Sequence, residues 1–204
     1  MIRAFLAVQL SEPLRTTLAA VQSEVKRRIT HDLPRDVSLS WVRPPSMHLT
    51  VKFLGDIPEE LVIALREAMA DALKDYHRFQ IPLDRLGAFP RLQQPRIVWI
   101  GPTEQWEASG EAARLTAVHH AVEVCCVTLN LAPDTRSLSA HLTLARIKTG
   151  HRAVGQALAR SGAMDRLPST AGALAVDAIA LVRSELRPTG SVYTVLWEAK
   201  LKAA

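Results

Sequence analysis

The chain has 204 residues, of which 48% are hydrophobic and 22% charged, the profile of a globular protein with a buried core and not of a disordered or fibrous one. No apolar run approaches the roughly 20 residues that cross a bilayer, so neither a membrane span nor a membrane partner is expected. A net charge of +5 points to an anionic partner such as a nucleic acid, and the adjacent Cys125 and Cys126, ill-placed to bridge each other, fit a reducing compartment.

The opening stretch IRAFLAVQL (2–10) reads as a strand. It lacks the basic segment and cleavage site of a secretion signal, so a cytoplasmic location is expected. Residues 11–29 read as an amphipathic helix: Ser11 is a candidate N-cap, Pro13 sits in the first turn, and Leu14, Leu18, Val21, Val25 and Ile29 recur at helical spacing. A strand follows in HLTVKFL (48–54), then a helix over 58–73 with Glu59 and Glu60 in its first turn, where the helix dipole favours them. DRLGAFPRLQQPRIVWIG (84–101) reads as a hairpin-like pair ending in the strand RIVWIG, and a further helix spans 109–124. HLTLARI (141–147) is a strand and HRAVGQALAR (151–160) a helix. AIALVRSEL (178–186) and SVYTVLWEA (191–199) form a closing hairpin. Each half thus runs helix, His-Leu-Thr strand, helix, hairpin. Chain order predicts two similar α+β lobes, one per half, each an antiparallel sheet with helices packed outside, around a central cleft. The paired late strands argue against a doubly wound sheet, and no linker divides residues 1–204, so one domain of two pseudo-symmetric lobes is expected.

The repeated phrase stands as SMHLTVKFLG (46–55) and SAHLTLARIK (139–148). Side chains alternate faces along a strand. Met47, Leu49, Val51 and Phe53 should therefore form one buried row, with His48 and Thr50 on the other face. Leu142 and Leu144 should likewise oppose His141 and Thr143. One such copy is equally a histidine on a sheet face beside a threonine chosen for β-propensity. Two copies in matching surroundings are a different matter: related by a pseudo-two-fold axis, they set two imidazoles and two hydroxyls around one cleft. An imidazole titrates near 6.5, so one can take a proton from an attacking hydroxyl or water while its twin delivers one to a leaving oxygen. The threonine hydroxyls and nearby Arg146 can hold the oxygens of an anionic group. Base, acid and anion cradle are what displacement at phosphorus needs without a metal.

These residues resemble the 2H phosphoesterase superfamily, named for its two His-x-Thr/Ser-x motifs, and more closely its RNA 2′,3′-cyclic phosphodiesterase branch, also called the 2′-5′ RNA ligase-like family. The resemblance covers nearly the whole chain: IRAFLAVQLSEPLR, HLTVKFLGDIPEE, LGAFPRLQQPRIVWIG, HLTLAR and SELRPTGSVYTVL are similar to its signatures in the expected order. It implies a bilobal fold with a basic groove, and hydrolysis of a 2′,3′-cyclic phosphate RNA end to a 2′-phosphate with no metal or nucleotide cofactor. The partner would be RNA or an oligonucleotide with that end, and a monomer is expected. By match to the motif, His48 would be the proton donor to the leaving 3′ oxygen and His141 the proton acceptor activating water. Thr50, Thr143 and Arg146 would bind the phosphate. The split between donor and acceptor is implied by the resemblance alone, because the two motifs are alike. Any joining of RNA ends would run the cyclic-phosphate step backwards and need no ATP.

Two positions depart from the family pattern. Leu138 stands where an aromatic often precedes the second histidine, and Ala140 where a proline does. Stacking on a base is worth about 1–3 kcal/mol, so these departures bear on base preference and leave the acid–base pair intact. His119, His120, Cys125 and Cys126 match no zinc spacing and read as a helix ending in two small apolar thiols. Trp41, Trp99, Trp106 and Trp197 read as core or lobe-interface residues, with groove lining the alternative for Trp41, just ahead of the first motif strand, and His31, His77 and His151 as loop or surface ones. No phosphate-binding glycine loop, dinucleotide fingerprint or G-x-S-x-G elbow occurs. The rival readings are a non-catalytic RNA-end-binding protein using the same groove and a phosphoesterase with both histidines on a metal. Turnover, and its response to EDTA, separate the three.

Overall fold

The computed structural model describes residues 1–134, 137–164, 171–188 and 190–203. Strand β1 is Ile2–Gln9, helix α1 Glu12–Thr30, β2 Ser38–Trp41, β3 His48–Ile57, α2 Leu61–Leu73, β4 Phe79–Pro82, β5 Arg85–Phe89 and β6 Ile97–Gly101. Then come the short α3 Glu104–Glu107, α4 Ala112–Thr128, β7 Leu142–Thr149, α5 His151–Arg160, β8 Ala173–Val176, β9 Ala178–Arg187 and β10 Gly190–Lys200. Residue 189, between β9 and β10 in the chain, lies outside the described residues. No described helix is long and apolar enough to cross a membrane.

The helices form where the apolar spacing places them. In α1 the Ser11 hydroxyl accepts from the Leu14 backbone N–H (3.4 Å), and Leu14, Leu18, Val21, Val25 and Ile29 are all buried. Each such side chain contributes about 1.5–3 kcal/mol when fully removed from water. Two boundaries differ from expectation. Helix α2 starts only at Leu61, after a turn in which Leu61 N–H donates to the Pro58 carbonyl, so Glu59 and Glu60 precede its first turn. Helix α4 continues to Thr128, because Cys125 and Cys126 lie buried on its inner side.

The fold is α+β with two four-stranded antiparallel sheets, ordered β10-β9-β1-β3 and β2-β7-β6-β5, and a separate pair β4-β8. The assignment of one lobe to each half of the chain is overturned. The hairpin β9–β10 follows the second His-Leu-Thr strand yet docks beside β1 in the sheet of the first, and β5–β6 joins β7 in the sheet of the second. The cause is visible in β1, buried at Ile2 and Ala4 to Val8. A strand that apolar on both faces needs neighbours on both edges, and β3 supplies only one. Helices α2 and α4 pack together outside the first sheet, α2 on β10 and α4 on β3. Helices α1 and α5 pack outside the second, with α5 on β7.

Both histidine-bearing strands carry a β-bulge at the same place. Ala7 faces Thr50 but Leu6 faces Lys52, leaving Val51 as the extra residue of β3. Trp99 faces Thr143 but Val98 faces Ala145, leaving Leu144 as the extra residue of β7. A bulge resets the alternation of side chains. Phe53, expected in the buried row, is therefore 64% exposed and lies against Phe5 on the histidine side, while Met47, Leu49 and Val51 are buried as expected. The same reset brings Arg146, an odd number of residues after His141, onto the face of His141 and Thr143. Buried Gln22 of α1 fixes the second bulge: its Nε2 donates to the carbonyls of Leu144 (2.8 Å) and Val42 (2.7 Å).

Candidate active site

Strands β3 and β7 approach within 8 Å between Cα atoms, and a cleft of about 360 Å³ opens above them. His48, Thr50, His141, Thr143 and Arg146 all line it. An adjoining space of about 510 Å³ shares Thr50, His141, Thr143 and Arg146 and adds Phe53, Leu138 and Ser139. Every site residue expected from the sequence is thus brought to one place.

The two imidazoles are held alike. His48 Nδ1 lies 2.9 Å from the Ser46 carbonyl, and His141 Nδ1 lies 2.9 Å from the Ser139 carbonyl. A carbonyl only accepts, so Nδ1 carries the hydrogen in each ring. The neutral tautomer is thereby fixed with the lone pair on Nε2, the nitrogen left for chemistry. Each ring also rests on aromatics. Phe5 stacks on His48 at 4.6 Å between centroids and Tyr193 meets its edge at 5.3 Å. Phe89 meets the edge of His141 at 5.0 Å, with Trp99 at 6.4 Å. Gly87 makes the room for Trp99, since a Cβ there would stand 2.0 Å from the indole.

This apolar backing sets the charge state. Burial pushes His48 from its usual 6.5 down to about 4, against the Ser46 hydrogen bond that favours the charged form, and Arg146 and His141 lower it further. Burial also lowers His141, opposed by the Ser139 hydrogen bond and aided by Arg146. Both rings are neutral in the empty cleft near pH 7. No ion pair or hydrogen bond to another described residue engages Arg146 or the hydroxyls of Thr50 and Thr143. An unpaired guanidinium and two free hydroxyls beside two neutral imidazoles make a receptor for an oxyanion that can move a proton on either side of it. Among the described residues no three His, Cys, Asp or Glu converge to hold a metal ion.

Four residues in or beneath the cleft have no place in the sequence reading. Phe5 and Phe89 support the histidines, Tyr193 reaches in from β10, and Arg43 spans the cleft edge by donating from Nη2 to the Ser191 carbonyl (3.0 Å). Of the two readings of Trp41, core and groove lining, the second describes its place in the cleft; Trp99, Trp106 and Trp197 are buried. His31 and His77 are exposed and His151 half-buried, all outside the cleft.

Comparison with known proteins places this geometry among relatives. A model of the LigT like phosphoesterase family matches residues 8–99. An RNA 2′,3′-cyclic phosphodiesterase from Methanothermobacter thermautotrophicus is 31% identical, over 95% of each chain. A crystal structure of a Thermus thermophilus protein is 28% identical, superposes with a TM-score of 0.70 and covers 98% of both chains. The fold of Escherichia coli LigT, solved in complex with 3′-AMP, superposes equally well, with a TM-score of 0.70 over 98% of both chains at 20% identity.

Proposed function

The chain belongs to the LigT like phosphoesterase family, and from that premise we propose that it hydrolyses RNA 2′,3′-cyclic phosphate ends to 2′-phosphates by paired-histidine acid–base catalysis without a metal. One observation carries the reading: two imidazoles with matched Nδ1 anchors share a cleft with two hydroxyls and an arginine that have no hydrogen-bond or ion-pair partner among the described residues. Arg146, Thr50 and Thr143 hold the non-bridging oxygens. A water oxygen attacks phosphorus while His141 Nε2 takes its proton. The bond from phosphorus to the 3′ oxygen breaks, and His48 Nε2 delivers a proton to that oxygen. The products are a 2′-phosphomonoester and a free 3′-hydroxyl. With a 5′-hydroxyl in place of water, the same groups join two ends through a 2′–5′ linkage, with no ATP.

Phosphorus NMR of a 2′,3′-cyclic nucleotide incubated with the protein in EDTA tests this directly. The expected product is the 2′-phosphate alone. A 3′-phosphate would reverse the proposed regiochemistry, and loss of turnover in EDTA would make the reaction metal-dependent. Intact substrate, from both a nucleotide and a short RNA with a cyclic end, would leave an end-binding protein.

The pH dependence follows from the lowered imidazoles. The donor must be charged and the acceptor neutral. Since both groups titrate below 6.5 in the free protein, kcat/KM should peak on the acidic side of 6.5 and fall as pH rises and the donor loses its proton. A bound phosphate anion favours both imidazolium forms, so the kcat profile should lie at higher pH. Each bell belongs to the coupled pair rather than to either ring. A kcat/KM maximum above about pH 7 would contradict the neutral, buried pair.

A further inference from the structure

Beyond the cleft, past Phe89 and Ile97, lies a second groove of about 850 Å³ between the β5–β6 connection and the start of α5. Phe89 and Ile97 line both spaces, so the two adjoin across these side chains. Arg96 and Arg152 line this groove, and Arg152 is shared with a further depression that also takes in Arg91. No described Asp or Glu lines either one.

Many of the arginines are neutralised by nearby carboxylates, while others, Arg3, Arg35, Arg66 and Arg114 among them, have no ion-pair partner among the described residues. Arg27 and Arg28 are paired with Glu24, Arg85 with Glu104 and Glu107, Arg160 with Asp32, and Arg183 and Arg187 with Glu185. Arg91, Arg96 and Arg152 have no ion-pair partner among the described residues, and Arg91 bonds only to the neutral Gln94 (3.1 Å). Arg146, in the adjoining cleft, has no ion-pair partner among the described residues either. A glycine inside a helix is disfavoured, yet α5 keeps Gly155, where a Cβ would stand 2.4 Å from the Leu92 carbonyl and 2.8 Å from that of Gln93. That contact seats the 91–94 loop directly on α5 and sets Arg91 and Arg96 beside Arg152.

We propose that this groove carries the RNA strand on the 5′ side of the cyclic end, with Arg96 and Arg152 on its first internucleotide phosphates and the Phe89 ring as an apolar step between cleft and groove. The inference rests on the reading of the cleft as a cyclic-phosphate site. Guanidiniums without ion-pair partners among the described residues, lining a groove next to such a site, suit a substrate that presents further phosphates behind the reacting one. A mononucleotide ends at the cleft and does not reach them. The protein is therefore an oligonucleotide-end enzyme in preference to a cyclic-nucleotide one.

The test compares a 2′,3′-cyclic mononucleotide with a five-residue RNA carrying the same end, for the wild type and the R96Q/R152Q variant. The wild type should favour the RNA in kcat/KM, through KM. The variant should lose at least about tenfold on the RNA, keep its rate on the mononucleotide, and show a salt dependence of log kcat/KM shallower by about 1.4, from two phosphate contacts on a single strand. Unchanged RNA kinetics in the variant would overturn the proposal. So would an equal loss on both substrates, which would mean the arginines act through the fold. Should the wild type hydrolyse neither substrate, the reading of the cleft itself fails, an outcome distinct from the others because the mononucleotide needs no groove.

Discussion

Replacing His141 with alanine is expected to slow hydrolysis of a 2′,3′-cyclic nucleotide by at least about 100-fold, and His48→Ala to do the same, since each general acid or base contributes roughly 10²–10⁴-fold. The effect follows from the geometry: Nδ1 of each ring is engaged by a backbone carbonyl, so only Nε2 can exchange a proton with the substrate, and the one further described imidazole nearby, His119, lines only the adjoining space and stands against Glu123. Because acid and base serve one displacement, the double variant should be much less impaired than the product of the two single losses. Thermal melting beside the rate assay separates chemistry from folding, which matters most for His48, stacked on Phe5 and met edge-on by Tyr193. Both variants should still bind an RNA with a cyclic end, because Arg146 and the two threonines remain. Rates within about threefold of wild type in both variants would remove the paired-histidine mechanism, and the neutral-substitution tolerance would then favour a binding role.

The residues that meet in the cleft are readable because their signal is local. His48 with Thr50, and His141 with Thr143, need only period-two alternation to share a face, and that holds as far as the threonine in each strand. Beyond it the pattern is broken by an extra residue at Val51 and at Leu144, which no composition rule announces. Phe53 is consequently expected in the core and found exposed. Arg146 is named for its chemistry and its resemblance, while the reason it faces the cleft is the bulge and the Gln22 side chain that holds the Leu144 carbonyl. The lobes escape the sequence for a related reason. Helices and hairpins are local and fall where periodicity puts them, but which sheet a hairpin joins depends on the free edge of a buried strand far away in the chain. The aromatic seats of the histidines, Phe5, Tyr193 and Phe89, are likewise contacts between strands distant in sequence. One local clue is present in both copies, a serine two residues ahead of each histidine, at 46 and 139. It is the backbone carbonyl of that residue, and not its hydroxyl, that anchors the ring.

Removing the Glu123 carboxylate is expected to destabilise the protein by about 3–5 kcal/mol, the usual result of stranding a buried partner, and to lower Tm by on the order of 10 °C for a chain of this size. The bulge in β3 turns Lys52 inward, where its side chain is 1% exposed. An ammonium in that setting needs a counter-charge, and Glu123 of α4 supplies both carboxylate oxygens at 2.8 Å. The same carboxylate accepts from the Asp134 backbone N–H (3.1 Å) and stands 3.6 Å from His119 Nε2, so Glu123→Ala also loosens the chain leading toward the second motif. The second histidine strand meets the same bulge without an ion pair: there the residue after the bulge is Ala145, fully buried. The geometry of the bulge therefore does not require a charge at this position. Lys52→Met combined with Glu123→Leu should regain most of the loss, to within about 1 kcal/mol of the wild type, because replacing a buried pair with apolar groups is often neutral. Chemical denaturation of the wild type, Glu123→Ala and the double variant decides the matter. A loss below about 1 kcal/mol in Glu123→Ala would mean that Lys52 finds water, and a double variant as unstable as the single would assign the energy to the Asp134 and His119 contacts instead of the ion pair.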